Sequence, residues 1–476
     1  MDEKQILQLV EDVWHHHCSA LEEALDETIR ALRNLLRLDE YHRHGHEEEQ
    51  LEQSLGKYGS SNLNLSSLSK VLSSSASTRS MPRERLQRVN GLLEKLEETR
   101  KICAGAPADY PRADIDEEES AIHEKAEAHL NHMAGIFSSI RMAQLEIRSK
   151  YNPAAHDPVF TDFTWRQLSP SELRMCPPFL ILARLGSQSG EALRKIMSLL
   201  ESRKPFKIAA LRSTLRKEYS PTSDPSVPAT MAVETLPLAM RGVYLLQTCV
   251  AEPQFAKHIF EALTSPRPTL LSMLASKEDE DEAGFRLRAE RAMRSRAFPF
   301  VVYDPDRARG FVSCFDLSWN PQAGETYTFA DFAAGEEDYA GEFSDPPAEA
   351  RPDDLVPISE FLELTRHQRL GKLPCVYAPG KDGQSVPMVV SPAVVTQTSD
   401  QVHLWKTLQE IAGTDNPHVK STKDDLQAAF GAEQKALEEK MRNDLERKLA
   451  DREKQAVSNT IRQIVARFTG VDPGNI

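Results

Sequence analysis

No run of apolar residues in this sequence approaches the roughly 20 that a membrane-spanning helix requires. The N-terminus, MDEKQILQLVEDVW, places charges where a signal peptide carries a basic segment and then an apolar one. These two absences predict a cytoplasmic protein without a membrane span. Cysteine is sparse. Cys18, Cys103, Cys176, Cys249, Cys314 and Cys375 stand far apart with no C-x-x-C pair, which speaks against a disulfide framework and against recognisable zinc or iron–sulfur patterns. Reduced, mostly buried thiols are expected. Basic residues are in deficit: 58 Lys and Arg face 72 Asp and Glu, and the net charge of −14 supplies no global field to hold a nucleic-acid backbone. Two common catalytic signatures are also missing. There is no G-x-S-x-G turn, and GSQSGE (186–191) lacks the Gly-Lys-Ser/Thr ending of a phosphate-binding loop.

What remains is a long chain with a clear change of period. Its 476 residues suit two to four domains. The mean hydropathy of −0.47 assigns part of that length to solvated helix or linker. From Glu3 to Leu38, Ile6, Leu9, Val10, Val13, Leu21, Leu25, Ile29, Leu32 and Leu36 recur at steps of three and four, the mark of one apolar helix face. The spacing predicts a helical arm over 1–55, a serine-rich linker over 56–81 and a helical pair over 82–150, whose second helix begins near Ile115. These helices form a small bundle or an oligomerising arm. Beyond residue 150, strand-length apolar runs FLILA (179–183), FKIAAL (206–211), VYLLQTCV (243–250), TLLSML (269–274) and FPFVVY (298–303) alternate with helical segments. Strands apolar on both faces and separated by helices predict an α/β domain over 151–305, a mainly parallel sheet covered by helices on both faces. Residues 306–420 read as an α+β extension with a hairpin turning at Asp382-Gly383. Residues 421–476 read as a long coiled-coil-like helix, with Leu426, Phe430, Leu437, Met441, Leu445, Leu449, Ile461, Val465 and Phe468 at mostly four-residue steps.

Clusters that suggest chemistry each have a plainer explanation. WHHHC (14–18) and YHRHGH (41–46) are rich in zinc-type ligands, but consecutive helical side chains point about 100° apart and cannot converge on one ion. Only His17 shares the stripe of Val13 and Leu21. Glu119 with His123, and His129 with His132, have helical spacings but lack the Glu-x-x-His pairs of carboxylate-bridged sites. Cys176, beside Pro177, reads as structural. Lys204, Lys207, Arg212, Arg216 and Lys217 form a local basic cluster around the second predicted strand, a charged rim or a seat for a phosphate-bearing partner.

Leu168 to about Pro305 resembles the C-terminal thiamine-diphosphate-binding domain of the pyruvate:ferredoxin oxidoreductase family. CPPFLILARLGSQSGEALRKIMSLLESRKPFKIAAL matches the strand, cofactor turn, helix and second strand. VYLLQTCVAEPQFAKHIFEAL, PRPTLLSMLA and RAFPFVVYDPD follow in the family's order, and FDLSWNPQ and LWKTLQEIAGTDNPHV extend the likeness to about half the chain. The resemblance implies a thiamine diphosphate held through Mg²⁺, a hard cation that needs oxygen ligands. The family supplies these from a Gly-Asp-Gly turn and an Asn-bearing loop. Here the turn reads Gly186-Ser187-Gln188, and Pro221 follows Tyr219-Ser220 where the Asn is expected. The family's cysteine clusters are absent as well. The expectation is a degenerate domain with a vestigial pocket lined by Gly186, Ser187, Gln188, Arg212 and Ser220 and without catalytic residues. It would act in docking or assembly, joined to protein partners or to itself through the N- and C-terminal helices. The alternatives are a working 2-oxoacid oxidoreductase subunit that borrows ligands and clusters from another chain, and a coiled-coil interaction protein.

Overall fold

The structure, a computed structural model, describes residues 3–60, 64–76, 80–103, 111–185, 190–216, 235–307, 310–320, 326–379 and 384–470. It divides into a compact body, Met1–Trp405, and a second unit, Lys406–Ile476. The chain opens with helix α1 (Glu3–His44), followed by α2 (Glu48–Ser60), α3 (Leu65–Ala76) and α4 (Arg83–Cys103). Strand β1 (Arg112–Asp114) then precedes α5 (Glu119–Ile147). One apolar face of α1, carrying Leu21, Leu25, Ile29 and Leu32, packs with Val89, Leu92 and Leu96 of α4 and Leu130, Met133 and Phe137 of α5. The three helices thus share one core. The serine-rich stretch differs from a plain linker, because α3 lies inside it. Serine is only a modest helix former, but Leu65 and Leu68 recur one turn apart and α3 packs against α2.

The short helices α6 (Pro153–Thr161) and α7 (Pro170–Leu173) lead into the sheet. It is built from β2 (Leu180–Arg184), α8 (Gly190–Glu201), β3 (Lys207–Arg212), α9 (Thr235–Met240), β4 (Tyr244–Thr248), α10 (Phe255–Thr264), β5 (Thr269–Leu274), α11 (Glu282–Arg294), β6 (Val301–Tyr303) and β7 (Phe315–Asp316). The strand order is β1-β2-β3-β5-β4-β6-β7. The first five run parallel, while β6 is antiparallel to β4 and β7 to β6. Every residue of β4 and β5 is buried, as strands covered on both faces must be. The step from β2 to β3 and the step from β4 to β5 cross the sheet in opposite directions, so right-handed crossovers put α8 and α10 on opposite faces.

Two strands of this sheet lie outside the 151–305 stretch. β1 joins one edge from the N-terminal side, with Ala113 opposite Ile181, and β7 joins the other. The 306–420 region is equally continuous with the sheet. It comprises β8 (Phe343–Ser344), β9 (Leu355–Pro357), β10 (Leu373–Pro379) and β11 (Ser385–Val390), in the order β8-β11-β10-β9, with α12 (Phe329–Ala333), α13 (Ile358–Glu363) and α14 (Pro392–Ile411). The hairpin is β10–β11, and its Asp382-Gly383 turn lies outside the described residues. Phe329, Phe332, Val376 and Val390 share one core with Leu211, Met273 and Phe285. Val10 and Val13 of α1 belong to that core, whereas Leu21 onward belongs to the bundle, so α1 bridges the two.

The last helix, α15 (Pro417–Thr469), starts where Asn416 accepts hydrogen bonds from the backbone N–H groups of His418 and Val419 with Pro417 at the first helical position, and it ends at Gly470, whose φ of 70° is left-handed. No helix among the described residues is long and apolar enough to cross a membrane.

Candidate functional site

In a parallel α/β sheet, ligands collect at the carboxyl ends of the strands, where loops diverge and backbone N–H groups point outward. At this end β2 closes with Arg184 and β3 with Arg212. The Leu185 N–H donates to the Leu211 carbonyl at 2.8 Å, and the Arg212 carbonyl accepts from Ala275 N–H at 2.8 Å. Gly186, Ser187 and Gln188 follow β2 directly, and Ser220 belongs to the segment after β3; all four lie outside the described residues. Of the five expected pocket residues, Arg212 alone is placed, half-buried at the mouth of the sheet.

Carboxylates come to this end from elements the sequence reading did not connect with it. Asp114, the last residue of β1, accepts from Arg184 Nη1 at 2.6 Å through Oδ2 and from the Asp116 N–H at 3.1 Å through Oδ1. Between β3 and β5 a larger ionic network forms. Arg288, 5% exposed on α11, donates Nε and Nη2 to the two Glu280 oxygens, both at 2.7 Å, Nη2 also to the Ala275 carbonyl at 2.7 Å, and Nη1 to the Ser213 carbonyl at 3.3 Å. Lys277 Nζ lies 3.1 Å from Glu336 and 3.2 Å from Asp338, and Thr214 Oγ1 donates to Asp338 at 2.8 Å. Arg216 donates to the Asp338 carbonyl and lies 3.2 Å from Glu342. Tyr339, beneath the Arg216 guanidinium, donates its hydroxyl to Gln397 Oε1 at 3.3 Å, and Gln397 Nε2 donates to the Leu215 carbonyl at 2.9 Å.

The electrostatics are those of a clasp. Burial opposes the charge on Lys277, but Glu336 and Asp338 outweigh it and raise its pKa. Burial likewise opposes ionisation of Asp338, and Thr214 with Lys277 outweighs it, lowering that carboxyl. A network so closely neutralised holds loops together, and it leaves little charge to recruit a ligand. Arg288→Met is expected to lower stability by about 2–3 kcal/mol, because it strands the Glu280 carboxylate and two carbonyls. Urea unfolding at pH 7 checks this; a loss below about 0.5 kcal/mol would show that the clasp contributes nothing.

The predicted basic cluster does not form one patch. Lys204 pairs with Glu127 at 2.6 Å, and Lys207, at the amino end of β3, is fully enclosed. Its ammonium donates to the carbonyls of Ser265 and Arg267 at 2.5 and 2.9 Å and to Thr269 Oγ1 at 3.0 Å, and burial pushes its pKa down to about 7. Arg212 and Arg216 lie at the opposite end of that strand, and Lys217 is outside the described residues. A groove of about 290 Å³ opens beside the amino ends of β4 and β5, lined in part by Arg174, Tyr244, Glu261, Asp304, Asp306 and Arg307. Of its charges, Arg307 lies 3.4 Å from Asp304, and Asp306 pairs with Arg267 at 2.7 Å.

The histidines behave as the helical geometry demands. His17 is buried at 1% exposure like Val13 and Leu21, whereas His15 faces solvent. His129 is half-buried with its ring against the Pro177 carbonyl at 2.8 Å, and His132 is exposed. Burial pushes the Cys176 thiol up to about 12 and that of Cys249 up to about 11, the opposite of nucleophile activation. Among the described residues no group of three or more His, Cys, Asp or Glu side chains is placed to hold a metal ion. A Mg²⁺-bridged diphosphate needs several free oxygens at the ends of β2 and β3. Of the carboxylates described there, Asp114, Asp338, Glu342 and Glu280 are engaged by Arg184, Lys277, Arg216 and Arg288. No protein-family model matches the chain, and no curated protein matches it.

Proposed function

We propose that the chain is a non-catalytic assembly subunit, with an α/β body of the pyruvate:ferredoxin oxidoreductase type, that associates with a second copy of itself through α15. One observation carries the reading. Along this 53-residue helix Leu426, Phe430, Leu437, Met441, Leu445, Leu449, Ile461 and Phe468 are all more than half exposed. A helix of that length gains little from propensity alone, and each large apolar side chain moved from water into a helix interface is worth about 1.5–3 kcal/mol. The clasp at the mouth of the sheet supports the non-catalytic half of the reading, because its oxygens are committed to protein cations.

Deleting residues 417–476 is expected to turn a dimer into a monomer in light scattering, and an unchanged number of copies per particle would reject the role of α15. Calorimetric titration of the full chain with thiamine diphosphate and Mg²⁺ is expected to give no saturable heat. Micromolar binding would instead favour a working oxidoreductase subunit.

A further inference from the structure

The stretch Lys435–Asp451 at the centre of α15 is a charge-reversed palindrome about Asn443. Read outward from that residue, Arg442 mirrors Asp444, Lys440 mirrors Glu446, Glu439 mirrors Arg447, Glu438 mirrors Lys448 and Lys435 mirrors Asp451. Each charge has its opposite at the mirrored position. The uncharged positions mirror in kind: Met441 with Leu445, Leu437 with Leu449 and Ala436 with Ala450.

Two antiparallel copies related by a two-fold axis at Asn443 would bring position n of one helix to the level of position 886 − n of the other. Each of these pairs would then share a level, and on the face of the apolar row, where helical geometry places Glu438 and Lys448 among Leu437, Met441, Leu445 and Leu449, opposite charges and apolar groups would meet. Parallel copies in register would set each charge beside itself, which repels.

The apolar spacing agrees with this pairing. Leu437, Met441, Leu445 and Leu449 are 58%, 66%, 61% and 52% exposed and follow one another at steps of four. Such a row drifts by about 40° per step around an α-helix, so it is a ridge of the kind that seats in the groove of a second helix crossing at a moderate angle, not the straight seam of a heptad coiled coil. A symmetric pair uses the same ridge from both copies, as an isologous contact requires.

We infer that α15 pairs antiparallel with a second copy of itself, centred on Asn443, with Glu438 and Glu439 of one copy at the level of Lys448 and Arg447 of the other. This rests on the self-association proposed above and fixes its direction and register.

Sedimentation equilibrium of the full-length chain tests it with two variants. R447E/K448E is expected to weaken the dimer by about tenfold, because the two attractive Glu438–Lys448 levels on the apolar face become repulsive. E438K/E439K/R447E/K448E is expected to restore it. A dimer that R447E/K448E leaves unweakened, or that the fourfold variant fails to restore while helix content by circular dichroism is unchanged, overturns the antiparallel register and leaves self-association standing. A wild-type chain that is monomeric up to about 100 μM, where even weak helix pairing would register, overturns both.

Discussion

Glu146→Ala is expected to lower the stability of the body by about 3 kcal/mol. Glu146 lies on the inner face of α5 at 1% exposure. Its Oε2 accepts from Arg85 Nε at 2.8 Å and its Oε1 from Arg88 Nε at 2.6 Å, while Arg85 Nη2 also reaches the Glu146 carbonyl at 2.6 Å. One carboxylate thus pairs with two guanidiniums of α4, and Arg88 stacks over Tyr151 as well. Removing it leaves two cations of α4, three residues apart, side by side against α5 with no anion between them. Each is about a quarter exposed and can turn partly to water, which keeps the loss at the lower end of the range for a broken buried pair. Glu146→Gln keeps the shape and one acceptor oxygen but puts an NH2 donor at the other and gives up the charge, so a loss only somewhat smaller than that of Glu146→Ala is expected. Urea midpoints of the two variants at pH 7 decide the matter: equal stability of Glu146→Ala and wild type would mean that the arginines are satisfied elsewhere.

The strands that could be read from the sequence and those that could not differ in a physical way. β2 to β5 are buried on both faces, so they are uninterrupted apolar runs bounded by turns, and the run TLLSML coincides with β5. β1 is three residues long, Arg112, Ala113 and Asp114, with one buried side chain. No periodicity can mark so short an edge strand, and it exists because Ala113 and Ile115 find a place beside β2. The burial of His17 was visible because a 3.6-residue period fixes which of three consecutive histidines faces inward. The clasp left no such trace. Arg216 and Glu342 are 126 residues apart, and Thr214 and Asp338 are 124 apart, so only the folded chain shows that they meet. The same distinction holds for α15. Its apolar steps of four are evident in the sequence, but they read as an imperfect heptad until the mirrored charges about Asn443 are set beside them.

His17 makes the body acid-sensitive above the range in which carboxylates titrate, and His17→Leu is expected to remove that sensitivity. The imidazole sits where α1 passes from the core of the sheet to the core of the bundle, between Val13 and Leu21. Burial above all pushes its pKa down from 6.5 to about 4; contact with the Met175 backbone works the other way, and the nearby charges of His16 and Lys207 add to the fall. In the unfolded chain the same group takes up its proton near pH 6.5. Between those two values the unfolded state binds more protons than the folded one, so stability is fully present above pH 6.5 and is lost progressively as pH falls towards 4. A shift of this size amounts to about 3 kcal/mol once the window has been crossed. His129, whose pKa burial also lowers, contributes in the same direction, so the comparison must be with a variant and not with an ideal flat profile. Urea midpoints at pH 7.0 and 4.5 are therefore expected to fall by substantially more for the wild type than for His17→Leu, which fills the same apolar position without a titrating group. Equal losses in the two proteins would place the acid sensitivity elsewhere and show that the seam between the cores tolerates a charged imidazole.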